Sequence, residues 1–170
     1  MSQFDTNWSF INKGDLTPEG FFFAGISAGL KNSKKKDLAL IFAPADSVCS
    51  GMFTQSTVRA SCVDISEDRI KQCSGHVRAI LINSGQANAC TGNVGTQDFI
   101  IATSKIAELL EIKEEQVLMC STGVIGVPIP INDLIQHLPK LVGELKVNSL
   151  HNAAEAILTT DLTLKKITIE

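Results

Sequence analysis

Two short stretches combine small, hydroxyl-bearing and amide side chains in a way that suits acyl chemistry: Asn83-Ser84-Gly85-Gln86-Ala87-Asn88 and Ser121-Thr122-Gly123-Val124-Ile125-Gly126. Each follows an apolar run with the pattern of a buried strand, and in layered α/β folds ligands gather beyond the carboxyl ends of such strands. Glycine lets a backbone N–H turn toward a ligand and approach it closely, while threonine offers a side-chain donor beside it. Together such groups can hold an oxyanion. On spacing alone the same residues also make ordinary turns, and neither stretch fits the Walker phosphate loop or the Gly-x-Ser-x-Gly elbow. No partner base for Ser84 or Ser121 is visible, and Cys120 is equally a buried strand residue or a reactive thiol. The sequence therefore holds parts of a site without a self-contained nucleophilic triad.

Other polar residues allow two readings each. Arg59 is a surface ion-pair partner or a clamp for a substrate carboxylate. Thr159-Thr160-Asp161 closes a helix or walls a polar pocket. His76, His137 and His151 show no His-x-x-x-His or His-Glu spacing and read as surface or structural histidines. Five cysteines, Cys49, Cys62, Cys73, Cys90 and Cys120, form no Cys-x-x-Cys pair, so reduced and mostly buried thiols are expected.

The elements that must position these groups alternate between two periodicities, which predicts an α/β class: a layered mixed-sheet fold with helices packed on the sheets. Strands are expected over 21–30 and 38–42, joined by the polar turn 31–37, with a third over 48–54 completing a meander. Residues 58–60 have the look of a strand end. Residues 77–82 and 116–120 read as buried strands that deliver the two candidate motifs. Between them, Phe99, Ala102, Ile106, Leu109 and Leu110 fall at helical spacing, with Thr96 as the expected N-cap. Ile131, Leu134, Ile135 and Leu138 mark a further helix that Pro139 should break or kink, and 151–158 a short alanine-rich one. Residues 164–170 alternate as a half-buried strand, either an ordinary edge strand or one whose continuation lies beyond the sequence.

The chain has 170 residues, 44% of them hydrophobic, enough for a real core in one domain spanning 1–170. A net charge of -3 offers no field for a phosphate backbone, and the one basic run, Lys34-Lys35-Lys36, reads as a solvated loop. No stretch approaches the roughly 20 apolar residues of a membrane span. The opening Met1-Ser2-Gln3-Phe4-Asp5 lacks a basic and apolar leader, so a cytoplasmic protein without nucleic-acid or membrane partners is expected.

Five landmarks in order, Gly25-Ile26-Ser27-Ala28-Gly29-Leu30-Lys31, Gly51-Met52-Phe53-Thr54, Asn83 to Gly92, Ser121 to Gly126 and Thr159-Thr160-Asp161, make the chain resemble the ornithine acetyltransferases (glutamate N-acetyltransferases) of arginine biosynthesis. Their fold is related to that of N-terminal-nucleophile-like aminopeptidases. The resemblance implies a precursor that cuts itself before an internal threonine, with this chain as the α part and that threonine as nucleophile of a β chain, in an α2β2 assembly. It further implies Thr122 and Gly123 as the oxyanion hole, Thr159 as a substrate contact, and acetyl transfer from N-acetylornithine to glutamate without cofactor or metal. Where the family pattern leads one to expect threonine directly after the aspartate and a proline soon afterwards, this chain has Leu162-Thr163-Leu164. Two other classes remain: a non-catalytic domain that binds an anionic metabolite, and an aminopeptidase of related fold.

Overall fold

The computed structural model describes residues 17–167. The amino-terminal segment read above for a leader, and residues 168–170 of the expected last strand, lie outside the described residues. Four strands, β1 (Phe22–Ile26), β2 (Leu38–Phe42), β3 (Ala79–Gln86) and β4 (Val117–Val124), form one sheet in the order β1-β2-β3-β4. The first three pair antiparallel in succession, and β3 pairs with β4 in parallel. A parallel pair needs a crossover. Here it is carried by α2 (Gly92–Leu110). The expected layered mixed α/β fold is therefore observed.

Because side chains alternate along a strand, the sheet divides the apolar residues between two faces. Ala24, Leu38, Leu40, Leu81, Val117 and Met119 join Phe99, Ala102 and Ile106 of α2 and Leu134, Leu138 and Leu141 of α3 (Ile131–Gly143) in one core. On the other face Phe23 and Ala39 pack against Ala153 and Ala156 of α4 (Leu150–Ala156), with Ile41 and Ile82 partly buried beside them.

Several expectations need correction. The strand over 21–30 ends at Ile26, because the amides of Ala28, Leu30 and Lys31 turn inward to the Asp37 carboxylate instead of a neighbouring strand. Residues 48–54 form no strand: both edges of β2 are already taken by β1 and β3, and Val48 and Met52 are exposed. Residues 164–167 are likewise irregular. Helix α2 starts at Gly92 with Thr91 at the N-cap position, so Thr96 lies inside it, donating from its hydroxyl to Ser61 at 3.0 Å. Pro139 does not end α3, which runs on to Gly143. The missing N–H costs one helical bond, but Leu134, Leu138 and Leu141 are all fully buried and hold both sides of the proline against the core.

Helix α1 (Ser61–Gln72) was not legible from apolar spacing, because its inner face is largely polar. Ser66 and Arg69 donate to the carbonyls of Met119 and Val117 on β4, Arg69 at 2.7 Å, and the Arg69 guanidinium also lies 4.9 Å from the Phe99 ring centroid. The residues 58–60 lead into this helix and are not a strand end. Among the described residues no helix is long and apolar enough to cross a membrane.

Candidate functional site

The two candidate motifs do not leave the sheet where the apolar runs end. Both strands continue, and their pairing brings the motifs into register: Asn83 opposite Ser121, Ser84 opposite Thr122, Gly85 opposite Gly123 and Gln86 opposite Val124. Thr122 and Gly123 thus sit together near the carboxyl end of the parallel pair, Thr122 half-buried and Gly123 exposed. Sequence reading could not see this pairing, since nothing in either motif names the other as its neighbour.

The two paired glycines are required where they stand. Gly85 and Gly123 have φ of +126° and +137°, values that L side chains rarely adopt. A Cβ on Gly123 would lie 2.3 Å from the Gly85 carbonyl carbon, and one on Gly85 would lie 2.9 Å from the Leu30 oxygen. The backbones approach too closely for any side chain, and the turn of β4 stays open to a ligand.

Several polar side chains around this point are buried; most donate to a backbone carbonyl, while Asn83 Oδ1, Gln86 Oε1 and Ser121 Oγ have no hydrogen-bond partner among the described residues. The Ser84 hydroxyl donates to the Ala156 carbonyl at the end of α4, and the residue is fully buried. Ser84 is therefore a tether between β3 and α4, not a nucleophile. Asn83 donates to the Gln86 carbonyl at 3.1 Å, and Gln86 to the Leu30 carbonyl at 2.8 Å. Asp37, fully buried, accepts the amides of Ala28 at 2.6 Å, Leu30 at 2.7 Å and Lys31 at 3.0 Å, while its own carbonyl accepts the Ser84 amide at 2.8 Å. Hydrogen bonds to an ionised carboxylate are among the stronger ones in proteins. The loop 27–31 is in this way fastened to the site end of β3.

Ser121 lies against the Cys62 thiol, which burial pushes up and the Ser121 backbone pulls back. Desolvation, with smaller effects from Cys62 and Cys49, also raises the Cys120 thiol above its usual value although the residue as a whole is exposed, which disfavours its thiolate form. The expectation of mostly buried thiols fails: all five are free, but only Cys62 is buried, and Cys90 and Cys120 are exposed.

Arg59 lies in neither of the clefts described below and pairs with Asp64 at 2.7 Å and Glu67 at 2.5 Å, ahead of and within α1. Thr159 follows α4 and is exposed, on the wall of a cleft of about 550 Å³ shared with Lys31, Lys36, Glu155 and Asp161. Lys36 pairs there with Glu155, holding its carboxyl below the usual range. The Lys165 ammonium does the same for Asp161. A second cleft of about 400 Å³ is lined by Leu30, Lys31, Gly85, Gln86, Val124 and Val127. Lys31 lines both, so Thr159 is brought to the same end of the sheet as the glycine pair. Lys31 and Asp37 were not singled out from sequence. The signals were Lys31 at the end of the first landmark and one acid standing immediately before the apolar run of β2.

The sequence over residues 22–170 matches the model of the ArgJ family. Among curated proteins it is similar to the arginine biosynthesis bifunctional protein ArgJ of Prochlorococcus marinus subsp. pastoris, 69% identical over 94% of this chain and 40% of that protein. The corresponding protein of Synechocystis is 44% identical over 96% of this chain and 40% of its own length. The chain thus spans about two fifths of the length of these relatives. Among solved structures it is similar to ornithine acetyltransferase of Mycobacterium tuberculosis complexed with ornithine, with a TM-score of 0.86 and 33% identity over 95% of this chain and 86% of that one. The arginine biosynthesis bifunctional protein of Bacillus halodurans gives a TM-score of 0.84 and 32% identity over 92% and 82%.

Proposed function

The chain belongs to the ArgJ family, and on that premise we propose that it forms the oxyanion-binding part of an acetyltransferase that moves the acetyl group of N-acetylornithine to glutamate. The observation that carries this reading is the register of β3 on β4, which sets Thr122 and Gly123 at an open strand end beside Gly85. The Thr122 hydroxyl and the Gly123 amide donate to the oxyanion, and Thr159 contacts the substrate from the adjoining cleft.

The nucleophile is a threonine hydroxyl of a second polypeptide cut from the same precursor, with its free α-amine as base. It attacks the acetyl carbonyl, and the resulting tetrahedral oxyanion is stabilised by the Thr122–Gly123 turn. The carbon–nitrogen bond breaks, ornithine leaves with the proton that the α-amine took from the hydroxyl, and an acetyl ester remains on threonine. The amine of glutamate attacks that ester, the carbon–oxygen bond breaks, and the threonine hydroxyl is regenerated. Acetyl passes as amide, ester and amide, so the balance needs no redox partner or cofactor.

Two further observations support the two-chain form. The solved chains are matched over 86% and 82% of their length, whereas the curated relatives are matched over about 40%. The end of β4 and the turn after it also carry exposed apolar side chains at Val124, Ile125 and Val127, a surface suited to burial against a partner.

The test is Thr122→Ala in the full-length protein, assayed for acetyl transfer from N-acetylornithine to glutamate and for peptide cleavage. Loss of one oxyanion donor typically costs about 100- to 1000-fold in turnover. A fall of that size with precursor self-cleavage and assembly intact supports the reading. Near-normal transfer removes Thr122 from the mechanism, and a wild-type protein that binds anions or cleaves peptides without transferring acetyl overturns the activity itself.

A further inference from the structure

The turn bearing Thr159 follows the last helical residue of α4, Ala156, and enters an irregular segment. A residue that must meet a substrate from such a segment needs anchoring, since an unanchored turn pays conformational entropy whenever it is ordered. Two hydrogen bonds reach it from the site end of the sheet. The Ser84 hydroxyl holds the Ala156 carbonyl, and the Lys31 ammonium donates to the Leu158 carbonyl at 2.8 Å, one residue before Thr159.

Lys31 is itself fixed. Its amide is bound by Asp37, and the neighbouring Leu30 carbonyl accepts the Gln86 side chain. Its stem passes beside Gly85, whose missing side chain leaves the space: a Cβ there would come within 3.2 Å of Lys31 Cγ. Lys31 consequently runs from the glycine pair of the oxyanion turn to the backbone of the Thr159 turn, across the boundary between the two clefts.

We propose that Lys31 is a positioning residue that fastens the Thr159 turn to the oxyanion turn, setting the distance between substrate contact and reacting carbonyl. This rests on the acetyl-transfer reading for its kinetic consequence, though not for the tether itself. Burial pushes the Lys31 ammonium below the usual lysine value, with Asp37 opposing, so keeping a cation at this place has a cost that a solvent-facing lysine would avoid.

The experiment compares Lys31→Met, which keeps the stem and removes the donor, with Lys31→Arg, which keeps a cationic donor, in the full-length protein. Lys31→Met should raise KM for N-acetylornithine about tenfold, with kcat changed less than about twofold, and amide exchange over 157–161 in the unliganded protein should accelerate. Lys31→Arg should bring KM back to within about threefold of wild type. A lysine that merely supported folding would lower the active fraction, and so apparent kcat, at unchanged KM. If Lys31→Met does not yield folded protein, Lys31→Gln, too short to reach Leu158, should give the same KM rise. Unchanged KM in the folded variant, unchanged exchange over 157–161, or no recovery with arginine overturns the proposal. Should the wild type transfer no acetyl group, the activity fails while exchange still decides whether the tether exists.

Discussion

The two faces of the sheet are built to different ends. One carries Leu38, Leu40, Leu81, Val117 and Met119 under α2 and α3 and is closed to solvent. The other is covered by α4 over β1 and β2 but leaves the β3–β4 half, with Ile80, Ile82 and Cys120, partly or fully exposed. Alternation along β3 and β4 puts Ser84 and Thr122 on this second face, as the bond from Ser84 to α4 requires. The fully buried apolar residues are concentrated on the closed face, whereas Thr122, the proposed oxyanion donor, lies on the more open one. The difference implies that substitutions on the two faces should fail in different ways.

The strongest way to break that division is Gly123→Ala. Its methyl group meets the Gly85 backbone at 2.3 Å in a conformation that favours glycine. On the proposed role of its amide, acetyl transfer should fall by about 100- to 1000-fold, because the clash moves the N–H away from the oxyanion. The fold should persist at a reduced melting temperature, and kinetics and calorimetry on the same preparation check both. A variant that unfolds outright would show that the turn is part of the stability core and erase the distinction.

Leu81→Ala is the converse. Leu81 is fully buried on the closed face, and such truncations cost about 2–5 kcal/mol. Denaturant unfolding should show that loss, with kcat/KM of the folded fraction nearly unchanged. A selective loss of turnover would mean that the faces are coupled.

The smallest expected effect lies in the helical layer. Asp98 on α2 is buried, and its Oδ2 has no hydrogen-bond partner among the described residues. Desolvation raises its carboxyl above the usual range. For a carboxyl raised on folding, the favourable contribution is complete below the unfolded value of about 3.9 and is lost as pH rises through the folded value. Asp98→Asn should therefore raise the melting temperature slightly at pH 8, and the gain should disappear on acidification to about pH 3.5. A loss of stability at pH 8 would show that the charge has a partner in the whole protein.

How much of this was written plainly in the sequence follows the same division. The closed face announced itself, because Phe99, Ala102 and Ile106 on α2 and Leu134 and Leu138 on α3 repeat at helical spacing, and strong periodicity survives without knowledge of neighbours. Helix α1 stayed hidden because Ser66 and Arg69, its inward residues, face backbone carbonyls and so look like solvent-facing polar positions. Pro139 misled because local propensity was overruled by three buried leucines. The chemical types at Thr122 and Gly123 were visible, as was Thr159, but their meeting depends on a parallel register made across a crossover helix, and on a lysine and a buried aspartate whose roles appear only in three dimensions.

Helix α1 carries one more consequence. Arg69 and Ser66, donating to the carbonyls of Val117 and Met119, cap the free edge of β4 over its first residues and leave the Thr122–Gly123 end uncapped. A strand could therefore not extend the ladder alongside Val117 to Met119 without displacing those two donors.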